Sequence, residues 1–167
     1  MSDAAHRHRP PGPRWSDPLH LVAFGFGAGA SPVAPGTLGT LVAVPLWLLL
    51  QPLDPGPYLA FLGLMFLLGL WICGRTARDL GVHDHPGIVW DEMVGLWLTL
   101  YLAPPGWQGV LGGVLLFRLF DILKPWPIGF IDRRVQGGLG IMLDDVLAGA
   151  MAWIVLHAGL VLLGPGP

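Results

Sequence analysis

Long apolar runs alternate with short polar islands along the chain. Apolar residues fill Leu38–Leu50, Tyr58–Cys73, Val89–Ala103, Gly109–Phe117 and Val146–Leu163. The third and fourth runs flank a Pro-Pro turn, so the pattern predicts four to five apolar helices. Most are shorter than the ~20 residues a straight membrane span needs. Val146–Leu163 and an extended Tyr58–Cys73 come closest to that length. The shorter runs borrow residues from their polar ends or insert only in part, and Pro45 can kink the first.

Composition turns this pattern into a membrane protein. Hydrophobic residues make up 53% of the 167 positions and charged residues 12%, about half of the ~25% common in soluble domains. The mean hydropathy is +0.62. A net charge of -2 without a basic stripe argues against nucleic acid as a partner. The lone Cys73 lies inside an apolar run, has no internal disulfide partner, and reads as a small core or lipid-facing residue. Residues 1–18 form a basic, Pro-rich tail whose first dozen residues read as disordered. A Gly-rich stretch, GFGAGASPVAPG, follows in place of an uninterrupted apolar core, so no cleaved signal peptide is read. The expected fold is an all-α, membrane-embedded helical bundle over residues 19–167, with short interfacial helices.

Charge fixes an orientation. With the N-terminus in the cytoplasm and all five runs crossing, the external pieces are Gln51–Pro57, Pro104–Gln108 and Gly164–Pro167. None holds Lys or Arg, so all nine basic residues fall on the cytoplasmic side, a complete positive-inside pattern. Ten of the eleven acids follow, with Asp54 the exception. The positive-inside rule does not require that, so the acids need another cause.

Three polar islands share that face. In SPVAPGT, Pro35-Gly36 makes a turn and Thr37 is placed to N-cap the next helix. Free N–H groups at such a start suit a phosphate, and an ordinary turn and cap is the plainer reading. No P-loop lysine follows, which leaves nucleotide binding unsupported. In HDHPGIVWDEMVG, Asp91 and Glu92 fall in the first turn of a helix. The helix dipole favours acids there by roughly 0.3–1 kcal/mol. Burying an ionisable group in a membrane helix costs at least ~2.5 kcal/mol, so the dipole alone does not account for the pair. His83 and His85 are weak zinc candidates and read as interfacial, with proton transfer open to them.

The third island, residues 117–145, is the richest. Arg118, Asp121 and Lys124 share one side of a helix end at i, i+3, i+6, and Asp121 is placed to tether both cations or help hold a metal. IGFIDRR reads as a short amphipathic surface helix carrying Arg133 and Arg134. Gly137, Gly138 and Gly140 read as a flexible turn, after which Asp144 and Asp145 open the last span as Asp91 and Glu92 open theirs. Two acidic doublets on one face are met economically by a divalent ion. An all-oxygen set of Asp91, Glu92, Asp144 and Asp145 suits Mg²⁺ better than zinc. Arg118, Lys124, Arg133 and Thr37 are the candidate phosphate contacts. A phosphorylated lipid head group is the natural substrate for such a site at a membrane surface.

These motifs resemble the phosphatidylglycerophosphatase A family. GFGAGASPVAPGTLGTL, HDHPGIVWDEMVG and FRLFDILKPWPIGFIDRRVQGGLGIMLDDVLAG stand in the family's order and cover roughly two fifths of the chain. The resemblance implies an all-α fold and a Mg²⁺-dependent phosphatase of the bacterial inner membrane, multi-pass, with its site facing the cytoplasm. It implies conversion of phosphatidylglycerophosphate to phosphatidylglycerol. Motif membership carries over to Asp91, Glu92, Arg118, Asp121, Lys124, Asp132, Asp144 and Asp145. Asp91, Glu92, Asp121, Asp144 and Asp145 are the expected catalytic carboxylates. Attack by water, with a carboxylate or His85 as base, competes with a phospho-aspartate route. The oligomeric state stays open, a homo-oligomer included.

Rival classes fit less well. A small transporter or channel predicts acids inside the spans and on both faces. A scaffold needs no paired acidic and basic islands. An alcohol phosphotransferase reads D-G-x-x-A-R, which is absent.

Overall fold

The computed structural model describes residues 12–163. The tail expected over residues 1–18 lies mostly outside them. Seven α-helices follow in order: α1 Pro18–Ala23, α2 Pro35–Leu50, α3 Pro55–Asp79, α4 Trp90–Thr99, α5 Trp107–Leu123, α6 Ile128–Arg134 and α7 Gly137–Leu163. Two short 3₁₀ turns within Gly25–Ala30, separated by positive φ at Phe26 and Gly27, lead from α1 toward α2, and no strand occurs among the described residues. The fold is all-α.

Local chemistry sets the helix ends. Asp17 caps α1 by accepting the Leu19 N–H at 2.9 Å. Prolines stand in the first turns of α1, α2 and α3, where a missing N–H is harmless. At the end of α3, Gly81 takes φ +67°, and the Gly81 and Val82 N–H groups return to Arg78 and Ala77. That closes the helix as a Schellman motif. α2 begins one turn earlier than expected: Ala34, not Thr37, is its N-cap residue, and Thr37 lies within the first turn.

α4 is the axis of the bundle and packs against α2, α3, α5 and α7. Nearly every residue of α4 is buried, Asp91 included. The run that reads as lipid-facing in sequence is therefore walled by protein, as expected of a helix that is apolar all round. A helix ending inside such a bundle must satisfy its last carbonyls without water. Neighbouring side chains do this: the Tyr58 hydroxyl donates to the Trp97 carbonyl at 2.6 Å, and the Trp153 indole donates to Tyr101 at 2.8 Å. In turn, Trp97 donates to Ala43 at 3.0 Å and Trp90 to Met65 at 3.2 Å. α7 reaches α4 through glycines. A Cβ at Gly149 would strike the Gly95 carbonyl, so neither helix tolerates bulk at this crossing.

α3 and α7 are long and apolar enough to cross a bilayer, with mean hydropathy of 1.9 and 1.8 over their most apolar stretches. α3 turns Leu59, Leu64, Leu67 and Trp71 outward. α7 starts at Gly137, two turns before the expected opening at Asp144. The Gly137–Gly140 stretch is its first turn rather than a flexible link, because Gly138 must lie directly on the Leu70 carbonyl of α3. Asp144 and Asp145 consequently sit inside the helix, beyond the reach of its N-terminal dipole.

Candidate functional site

Four elements deliver charge to one place. α4 brings Asp91 and Glu92 in its first turn; α5 brings Arg118 and Asp121 in its last turns; α6 brings Asp132; α7 brings Asp144 and Asp145. Lys124 stands at the C-cap of α5 in the left-handed conformation, φ 43°. That kink turns Lys124 away from the Arg118–Asp121 face. Asp121 therefore does not tether both cations. Instead, each cation is shared by two carboxylates of its own. Arg118 Nη1 donates to Glu92 Oε1 at 3.1 Å and to Asp121 Oδ2 at 2.5 Å. Lys124 Nζ donates to Asp132 Oδ1 at 2.6 Å and to Asp144 Oδ2 at 2.5 Å.

α2 closes one side. A Cβ at Gly36 would meet Glu92 Oε1 and Arg118 Nη1, and one at Gly39 would meet Val89 and Glu92 Oε2. Glycine at these two positions lets the start of α2 lie directly on the Glu92–Arg118 pair. The first polar island thus joins the other two in space. Thr37, on the same turn, is half-buried and Arg133 is exposed on α6; among the described residues the Thr37 side chain makes no hydrogen bond and Arg133 no ion pair.

A polar cavity of about 210 Å³ opens beside Lys124's partners, lined by His83, Asp84, Asp132, Val135 and Asp144. Sequence alone does not single out Asp84, because its loop carries no helical register to align it with the motif acids. Asp84 is exposed, yet the surrounding protein strips part of its hydration and raises its pKa; Lys124 opposes this and Asp132 adds to it. Burial also lowers the pKa of His85. The His85 Nδ1 accepts the Gly87 N–H at 3.0 Å, and its ring packs on Phe24 at 5.3 Å, so His85 serves the turn and does not line the cavity. For Lys124, burial works against the charge, but Asp132 and Asp144 outweigh it and hold the ammonium above its usual pKa.

By donor chemistry, though not by its present spacing, the acidic set suits a hard divalent cation. Asp91 Oδ1, Glu92 Oε2 and Asp145 Oδ1 are buried without a hydrogen-bond partner, and all are carboxylate oxygens. No three of the acids Asp91, Glu92, Asp144 and Asp145 bring ligand atoms within 4.8 Å of one another; among the described residues only Asp17, His20 and Asp79 do. That second group is a clasp. Asp17 caps α1, Arg75 holds Asp79 at 2.9 Å, and the His20 Nδ1 accepts the Arg14 N–H at 3.1 Å. With that lone pair engaged, the other ring nitrogen of a neutral imidazole carries the hydrogen and has no lone pair for a metal.

A family profile described as Phosphatidylglycerophosphatase A matches residues 21–160, from the second half of α1 to near the end of α7. The chain belongs to the phosphatidylglycerophosphatase A family. A Phosphatidylglycerophosphatase A of Escherichia coli K12 is 47% identical over 145 residues, covering 86% of this chain and 84% of that protein. One from Haemophilus influenzae is 49% identical over 144 residues, covering 85% and 88%. A Bacteroides thetaiotaomicron protein, provisionally named a phosphatidylinositol-3-phosphatase, is 38% identical over 145 residues, covering 81% and 89%. No solved structure matches. The three motifs that resemble the phosphatidylglycerophosphatase A family in sequence are those that the bundle gathers around Arg118 and Lys124.

Proposed function

We propose that this protein is a multi-pass phosphatase of the bacterial inner membrane that hydrolyses phosphatidylglycerophosphate to phosphatidylglycerol and phosphate. Residues 19–167 form its single membrane-embedded domain, and the site faces the cytoplasm. The observation that carries this reading is the pair of shared cations. Arg118 and Lys124 are each held between carboxylates, beside buried acids with unpartnered oxygens. Exposed Trp71 and Trp126 stand near the site's level and Trp107 at the other end, as in interfacial aromatic belts.

In the reaction, Arg118 and Lys124 exchange part of their carboxylate contacts for substrate phosphate oxygens. Lys124, beside the polar cavity, meets the phosphoryl group that leaves and neutralises charge spreading over its equatorial oxygens. Asp132 and Asp144 hold the ammonium in place meanwhile. Asp84, whose carboxyl holds a proton more tightly than a free aspartate, takes the proton from an attacking water and returns it to the glycerol oxygen as the ester P–O bond breaks. Asp91, Glu92 and Asp145, with Asp144 adjoining, would hold Mg²⁺, which supplies Lewis-acid polarisation of the phosphoryl oxygens when bound. Thr37 and Arg133 flank the site as auxiliary phosphate contacts, and Asp121 keeps Arg118 oriented.

The test is phosphate release by the purified protein in detergent, with Mg²⁺ and then with EDTA. Activity is expected with Mg²⁺ and not with EDTA; activity indifferent to EDTA would sink the metal assignment. Asp91→Asn and Asp145→Asn should each abolish turnover in folded protein, and wild-type rates in both would reduce these acids to structural groups. Phosphatidylinositol 3-phosphate, offered in parallel, checks the head group, with phosphatidylglycerophosphate expected to be the better substrate.

A further inference from the structure

A second cavity, larger than the polar one, starts one turn from the charged cluster and runs away from it. It is an apolar groove of about 630 Å³ between α2 and α5, lined by Leu41, Val44, Leu48, Trp107, Leu111 and Val114 among others. Leu41, Leu48, Leu111 and Trp107 are roughly half or more exposed, so the groove opens sideways.

Three observations point to one occupant. The groove's inner end adjoins the site: Leu41 is one turn from Thr37 along α2, and Val114 is one turn from Arg118 along α5. Its length along α2, from Leu41 to Gln51, is about 15 Å at the helical rise. An acyl chain has about that reach, half of the ~30 Å hydrocarbon core, and the groove's far end, at Gln51 and Trp107, lies at the opposite face of the bundle. The third is an order of chemistry. Going along α5, the apolar groove gives way to Arg118, and about 9 Å further along the axis to Lys124 and the polar cavity. A glycerophospholipid with a terminal phosphomonoester has the same order: acyl chain, diester phosphate, spacer, terminal phosphate.

We infer that the α2–α5 groove receives an acyl chain of the substrate lipid, with Arg118 on the diester phosphate and Lys124 at the phosphate that is removed. The assignment rests on the lipid-phosphatase reading. It makes the groove a source of selectivity for chain length. A second apolar groove, lined by Leu59, Leu62, Phe66, Val94, Leu98 and Val146 among others, lies on the α3 side and serves as the control.

Two measurements decide it. In the first, Leu41→Trp and Leu111→Trp fill the α2–α5 groove and Leu59→Trp fills the control groove. Each is assayed on phosphatidylglycerophosphate with long chains and with very short chains. The α2–α5 variants should lose about tenfold or more in kcat/KM on the long-chain lipid and under about twofold on the short-chain one, while Leu59→Trp changes neither. Retained short-chain activity shows that the variants fold. In the second, lipids with a diazirine in the acyl chain are photolysed in vesicles with wild-type protein, and the labelled peptides are mapped. A phosphomonoester lipid should label α2 and α5 more strongly than a phosphocholine lipid with the same chains. Equal labelling by both, labelling confined to α3, or unchanged chain-length preference in the filled variants overturns the assignment. Crosslinking needs binding and not turnover, so a wild-type protein inactive on both substrates removes the phosphatase reading while the label map still decides the groove.

Discussion

Asp84 and His85 are neighbours with opposite tasks, and the difference is read from what each side chain touches. Asp84 lines the polar cavity with Asp132 and Asp144; His85 is committed to the Gly87 N–H. Asp84→Asn is expected to lower kcat by about 10²–10⁴ with little change in KM, the signature of a lost proton acceptor. An unchanged kcat in steady-state assays would move that role to another carboxylate. His85 shows itself in the pH dependence of stability. Its folded pKa lies below the ordinary value of 6.5, so the unfolded chain binds the proton more readily. His85 therefore contributes stability that is complete above about pH 6.5 and is lost as pH falls from there through its lowered folded value. Denaturation midpoints at pH 7.5 and 5.5 should differ less in His85→Asn, whose amide oxygen can still accept the Gly87 N–H. At this scale the sequence displays the charged residues but not their partners. Asp121 lies close enough to both cations in helical register, and only the left-handed turn at Lys124 assigns one cation to each set of acids.

At the scale of elements, α2 matters through what it lacks. Gly36→Ala places a methyl group against the Glu92–Arg118 pair and forces α2 outward. Overpacking of this kind destabilises by about 1–3 kcal/mol, and turnover should fall at least about tenfold as the pair is displaced. Thermal melts and assays of Gly36→Ala check both, with Gly56→Ala, where nothing crowds the added carbon, as control. The apolar helices are plain in sequence because their runs are long and bounded by proline. The start of α7 is hidden for a physical reason. Glycines that allow close helix packing look the same in sequence as glycines that allow a turn, and only the Leu70 carbonyl of α3 separates the two at Gly138. The same holds for α4: an apolar run reads alike whether lipid or protein surrounds it.

Across the whole molecule, charge and length give an orientation that can be tested directly. Single cysteines placed by Asp54→Cys and Gln136→Cys should react with an impermeant maleimide from opposite sides of sealed inner-membrane vesicles. Cys73 is buried and should stay silent. Labelling of both from the same side would reverse the proposed crossing pattern. The gathering of all three motifs at one end of the bundle is a property of this scale, and no single island reveals it.

The helices differ in height. α3 and α7 run about 38 and 40 Å, while α2, α5 and α4 reach about 24, 26 and 15 Å. In the proposed crossing pattern, a bilayer with a ~30 Å hydrocarbon core meets the first pair comfortably and would thin where α2 and α5 meet it, while α4 stays enclosed by the bundle. Head groups on that flank would ride lower, which would shorten the climb of a substrate phosphate toward Arg118 and Lys124. Hydrophobic mismatch would then enter the reaction coordinate, with the composition of the surrounding membrane as a control on rate. In vesicles whose bulk lipids have progressively longer chains, turnover of one fixed substrate should fall as the bilayer thickens.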